Sequence, residues 1–146
     1  MDSRGITVTI GGRKWVLAAD THVGLEIEMA AKGIMVPSQT QRILDEIKKT
    51  ADAEGANNVA ILGDLKHELP LPLESTKETK QFLIGLSKEF DNVLIILGNH
   101  DGGLDRIIND LGLPNLTYTD SRGIVIEGTR NVLLLHGNSK PREEDF

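Results

Sequence analysis

Val59-Ala60-Ile61-Leu62 and Val93-Leu94-Ile95-Ile96-Leu97 are short, unbroken apolar runs, and each stops at a polar segment: Gly63-Asp64 in one case, Gly98-Asn99-His100-Asp101 in the other. A strand with one wet face alternates polar and apolar residues. A run without alternation has to bury both faces, as strands do inside a sheet covered on its two sides. Between these runs lie stretches of helical period. Ile43, Leu44, Ile47 and Ala51 recur at helix spacing up to Gly55, and Glu74 to Phe90 places Phe82, Leu83 and Leu86 on one side. Strands alternating with helices predict an α/β fold with much parallel sheet.

The remaining elements follow from local chemistry. Ile6 to Ile10 alternates β-branched residues and reads as an edge strand, Gly11-Gly12 as a tight turn, and Lys14 to Ala19 as a second strand that stops at Asp20. Leu25 to Lys32 has helical composition, with Gly33 as its stop. Ser38 and Gln41 have the spacing of a capping box before the helix that follows Pro37. Pro70 and Pro72 make Glu68 to Leu73 a loop. Leu104 to Leu111 reads as a short helix, and Leu116 to Thr119, Gly123 to Glu127 and Asn131 to Leu135 as strands. There is no internal repeat, and residues 1–146 are expected to form one domain.

Composition narrows the chemistry. Without cysteine there is no disulfide, thiolate metal site or cysteine nucleophile. Aromatic residues are only 3%, so aliphatic side chains must fill the core. A net charge of −6 argues against tight non-specific binding to nucleic acid. No apolar run approaches the ~20 residues of a membrane span, and Met-Asp-Ser-Arg-Gly does not open like a signal peptide. The expectation is a soluble, cytoplasmic protein.

The polar residues at the strand ends repeat a theme. The strands run into Asp20-Thr21-His22, Gly63-Asp64-Leu65-Lys66-His67, Gly98-Asn99-His100-Asp101 and His136-Gly137, and all four histidines of the chain lie in these segments. In open α/β sheets, ligands bind in the crevice beyond the carboxyl ends of the strands. A set of Asp, Asn and His donors suits divalent ions of intermediate softness, manganese, iron, zinc or cobalt, better than calcium. Two such ions about 4 Å apart form a clamp for displacement at phosphorus.

Taken in order, Asp-x-His, Gly-Asp-x-x-His, Gly-Asn-His-Asp and a later strand-end His resemble the calcineurin-like metallophosphoesterases. The contexts DTHVGLE, PSQTQRIL, ILGDLKHE, GNHDGG, DSRGI and LLLHGN resemble their SbcD-related archaeal and bacterial branch, over about Gly5 to Pro141. The resemblance implies a β-sandwich flanked by helices, in α-β-β-α layers. It implies that Asp20 and His22 bind one metal, Asn99 and His136 a second, and Asp64 both, with manganese the first candidate and iron, zinc or cobalt the others. A metal-bridging hydroxide would attack the phosphoester. His100 would stand at the leaving-group oxygen, with Asp101 holding its ring. His67 and Asn138 would contact substrate, which by analogy would be a DNA or RNA end or a nucleotide.

One part of the family pattern does not occur. Its Gly-His-x-His motif, which supplies a further histidine to each metal, has no counterpart after His136. The domain is therefore expected to be incomplete, with its C-terminal strands missing and an exposed sheet edge through which copies could pair. The competing reading is a non-catalytic remnant or fragment that binds metal or phosphate weakly and serves as an interaction module. Taken singly, the motifs also have plain readings: Asp20 and Gly63-Asp64 as turn residues, Asp101 as a helix cap, His136 as a boundary residue. Arg122, Arg130, Lys140 and Arg142 read as scattered surface charge rather than one phosphate-facing patch.

Overall fold

The computed structural model describes residues 5–19, 21, 23, 30, 32–34, 37–63, 65, 73–98, 101, 103–128 and 130–135. The described elements run β1 (Ile6–Ile10), β2 (Arg13–Ala18), α1 (Thr40–Glu54), β3 (Asn58–Leu62), α2 (Leu73–Glu89), β4 (Asn92–Ile96), α3 (Leu104–Leu111), β5 (Leu116–Thr119), β6 (Ile124–Ile126) and β7 (Val132–Leu134). Strands β1 to β5 form one sheet in sequence order, with β1 antiparallel to β2 and the rest parallel. Strands β6 and β7 form a separate antiparallel pair. The α/β class and the parallel sheet are those expected.

The unbroken apolar runs are buried on both faces. Val16, Ala18, Val59, Ile61, Val93 and Ile95 point into a core shared with the helices: Ile43, Ile47 and Ala51 of α1, Phe82, Leu83 and Leu86 of α2, Leu104, Ile107 and Ile108 of α3. The alternate residues Trp15, Ala60, Leu94 and Ile96 form a second core with Ile10 and Leu134, against which Leu17, Leu62, Ile126 and Val132 pack. The layers are therefore helices, five-stranded sheet, then the β6–β7 pair. Each fully buried Ile, Leu or Phe contributes about 1.5–3 kcal/mol, and two such cores on one sheet are why the runs 59–62 and 93–97 are apolar throughout. All three described helices bury their apolar side in the first core, so none of them forms the outer helical layer expected beyond the smaller sheet.

Two local expectations are corrected. The capping box does not form: Gln39 is the N-cap of α1, without a side-chain cap. The Ser38 hydroxyl donates instead to Glu78 Oε2 of α2 at 3.1 Å, the Thr40 hydroxyl donates to the same oxygen, and Gln41 Nε2 donates to Asp45 Oδ1 at 2.8 Å. The Ser38 oxygen accepts the Thr40 N–H at 3.4 Å, two residues on, in place of the Gln41 N–H that a capping box needs. The second correction is smaller: Leu73 opens α2 rather than closing the loop before it. The helix expected at Leu25 to Lys32 falls almost wholly outside the described residues, but its expected stop, Gly33, has φ 85° and donates its N–H to Ala30 O at 3.0 Å.

Candidate metal centre

Register brings the strand ends to one level. Ala18 pairs with Ile61, Ile61 with Ile95, and Leu62 with Ile96, so β2, β3 and β4 finish side by side at one rim of the sheet. The smaller sheet is oriented by its turn. A Cβ on Gly128 would lie 2.6 Å from Gly11 N, and one on Gly11 would lie 2.8 Å from Glu127 O. The turn between β6 and β7 therefore packs on the turn between β1 and β2, at the end of the sheet opposite the rim. From that turn β7 runs to Leu134, which packs in the second core with Leu94 and Ile96 of β4. The three strand ends of the larger sheet that carried polar segments in the sequence thus lead the same way.

The described residues of the rim are tied together by a single carbonyl. Leu65 O accepts the Thr21 hydroxyl at 2.9 Å and the Val23 N–H at 2.7 Å. Thr21, Val23 and Leu65 are all buried. The segment after β2 is thereby fastened to the segment after β3, across residues 44 apart in sequence. Gly63, with φ 80°, turns the chain out of β3 in a conformation that side chains other than glycine rarely adopt.

At the end of β4, Asp101 is 2% exposed. Its Oδ2 accepts the Gly98 N–H at 2.8 Å, and its own N–H donates to Gly98 O at 3.2 Å. These reciprocal bonds tie Asp101 to Gly98, three residues before it. A carboxylate in this place fixes the turn itself, in addition to any hold on a neighbouring ring. The cap position of α3 belongs to Gly103, which has no side-chain cap.

Of the candidate catalytic, metal-binding and substrate-binding residues, Asp101 alone is described. Asp20, His22, Asp64, His67, Asn99, His100, His136 and Asn138 lie outside the described residues. Among the described residues no three His, Asp or Glu side chains gather in a way that would hold an ion. What is described is the frame on both sides of those positions: Ala18, Thr21 and Val23; Leu62, Gly63 and Leu65; Gly98 and Asp101; Leu134. Thr21 and Leu65 were not singled out from the sequence. The signal available there was only that each sits beside a polar residue at a strand end, where a buried neighbour has to turn inward. Arg122 and Arg130 do not share a patch. One precedes β6, where Ile124 pairs with Leu134, and the other precedes β7, where Val132 pairs with Ile126, at the other end of the ladder.

No described helix is long and apolar enough to cross a membrane. The family model for calcineurin-like phosphoesterases matches residues 14–145, from within β2 through all four strand-end polar segments. Comparison with curated proteins gives no match.

Proposed function

The chain belongs to the calcineurin-like phosphoesterase family, and on that premise we propose that it is a metal-dependent hydrolase of phosphodiesters, with a two-ion site at the carboxyl rim of the five-stranded sheet. Asp20 and His22 would hold one ion, Asn99 and His136 the other, and Asp64 both. The donor set fits: two carboxylates, two imidazoles and an amide oxygen are ligands for ions of intermediate softness, with manganese first and iron, zinc or cobalt next. When bound, the ions would supply Lewis-acid charge to the phosphoryl oxygens and lower the pKa of water. His100 would stand at the leaving-group oxygen and donate a proton to it as the P–O bond breaks, and Asp101 would hold the His100 ring in place. His67 and Asn138 would contact the phosphate.

The observation that carries this reading is the shared level of the strand ends, with Leu65 O locking the segment of Thr21 and Val23 to the end of β3. Residues one peptide from these anchors have only ~3.8 Å of Cα travel, so a common site for Asp20, His22 and Asp64 asks for no rearrangement. The net charge of −6 favours a small nucleotide or a nucleic-acid end over broad electrostatic contact with duplex. The absence of cysteine accords with a reducing, cytoplasmic setting.

With manganese added, the protein is expected to hydrolyse a chromogenic phosphodiester, and Asp64→Ala or Asn99→Ala should each abolish turnover. Hydrolysis indifferent to both substitutions would end the proposal. The alternative outcome is a metal- or phosphate-binding module without turnover. Calorimetric titration separates the two. Two ions bound at micromolar concentration, with turnover, support the hydrolase; one weak ion or none, without turnover, supports the module.

A further inference from the structure

Strand β1 is the outer strand of the five-stranded sheet, and its open edge has an unusual make-up. The two-residue turn at Gly11-Gly12, both left-handed at φ 60° and 77°, makes Ile10 and Arg13 the hydrogen-bonded pair that closes the hairpin. Bonded and non-bonded pairs alternate along an antiparallel ladder. Val8–Trp15 and Ile6–Leu17 are then the other bonded pairs, and the backbone N–H and C=O of Thr7 and Thr9 face away from β2. Among the described residues nothing pairs with them. Sheet edges of this kind are ordinarily blunted by lysine, proline or a bulge. Ile6-Thr7-Val8-Thr9-Ile10 contains no charge and no proline, and its register with β2 is unbroken.

We propose that β1 is the interface of a two-fold homodimer, in which two copies join β1 to β1 antiparallel and the sheets run on as one ten-stranded sheet. Three observations select a second copy of this chain as the occupant. First, the strand is a palindrome about Val8. A two-fold axis there sets Thr7 opposite Thr9 of the second copy, Val8 opposite Val8 and Ile6 opposite Ile10, and the outward-facing Thr7 and Thr9 backbones become the bonded pairs. Second, the side chains need what that pairing supplies. Ile6 is 68% exposed and would be covered. The Thr7 hydroxyl is shielded from water and has no hydrogen-bond partner among the described residues, so turning to a threonine across the interface costs no bond seen there. Third, the side of β1 below α1 is open. A groove of about 610 Å³ runs between Thr7 and Thr9 on one wall and Glu46, Lys49 and Glu54 on the other. Two-fold symmetry brings two copies of this wall together, and a wall carrying both signs can meet itself lysine to glutamate. The interface is isologous and closes at two.

The proposal does not rest on the phosphoesterase reading, and its test needs no catalysis. Sedimentation or light scattering of the whole chain, from low to high micromolar concentration, should give twice the 16.0 kDa of one chain. Thr9→Lys, at an exposed position, should give a monomer with an unchanged far-ultraviolet spectrum, and Thr9→Val should remain a dimer. Thr7→Pro, which removes an outward N–H, should also give a monomer if it folds; Thr9→Lys carries the test if it does not. The amides of residues 7 and 9 should exchange more slowly as concentration rises in the parent and at a constant rate in Thr9→Lys. A monomer at every concentration, an open-ended polymer, or a dimer that survives Thr9→Lys overturns the proposal.

Discussion

At the scale of single residues, the described rim works through backbone groups that side chains capture. Asp101 does this for the turn after β4. Asp101→Ala would leave the half-buried Gly98 N–H without this partner, at about 1 kcal/mol, and loosen the link between Gly98 and Asp101. Asp101→Asn keeps an oxygen within reach of Gly98 and should lose less stability. If the carboxylate also orients the His100 ring, the asparagine variant will unfold in urea close to the parent yet hydrolyse phosphodiester about 10–100-fold more slowly, the usual effect of removing a group behind a site residue. Equal losses of stability and activity in both variants would confine Asp101 to the turn. Thr21 has the same kind of role after β2, where its hydroxyl shares Leu65 O with Val23 N–H.

At the scale of elements, the clearest dependence of the rim on packing is where β6 meets β7. Gly123 has φ 80°, and a Cβ there would fall 1.8 Å from Leu134 O. That oxygen is backbone at the end of the strand that leads to His136, so it has no side chain to swing aside. Gly123→Ala should cost about 2–4 kcal/mol by urea unfolding, from left-handed strain and the displaced strand end. Gly112, with φ 58° and nothing within 4 Å of a Cβ, is the control. Gly112→Ala should cost about 1 kcal/mol, from strain alone. Equal losses at the two glycines would mean that β7 yields without consequence. The helices report packing of another kind: a Cβ on Gly85 of α2 would meet Leu44 Cδ1 of α1 at 2.6 Å, a side-chain tip that can move.

At the scale of the whole molecule, a site assembled from separate strands exists only when the chain is folded. Ions that bind it therefore stabilise the native state by mass action. Manganese at about a hundred times its dissociation constant adds about 2.7 kcal/mol per site, which should raise the melting temperature by several degrees. Differential scanning calorimetry with and without the metal tests this, and Asp64→Ala should abolish the rise. A melting temperature indifferent to manganese in the parent chain would count against a common site. The dimer proposed at β1 lies on an outer strand of the sheet, so Thr9→Lys should lower the apparent stability at high protein concentration without removing the metal-dependent rise.

Much of the architecture was legible in the chain itself. Two-faced burial is written into residues 59–62 and 93–97 as missing alternation, the first hairpin into Gly11-Gly12, and the inner side of α2 into Phe82, Leu83 and Leu86. These are local properties, set by neighbours within a few positions. The order of the polar segments along the chain also pointed to a single rim, since strands alternating with helices run parallel and end at the same side. What the sequence could not assign were the pairings between distant residues. Glu78 ties Ser38 and Thr40 to α2, Leu65 O joins Thr21 to the end of β3, and Gly11 seats the turn beside Gly128. Each depends on which groups the packed cores bring within about 3 Å, the range of a hydrogen bond. Local periodicity constrains the elements; only their packing in three dimensions chooses among the donors and acceptors those elements expose.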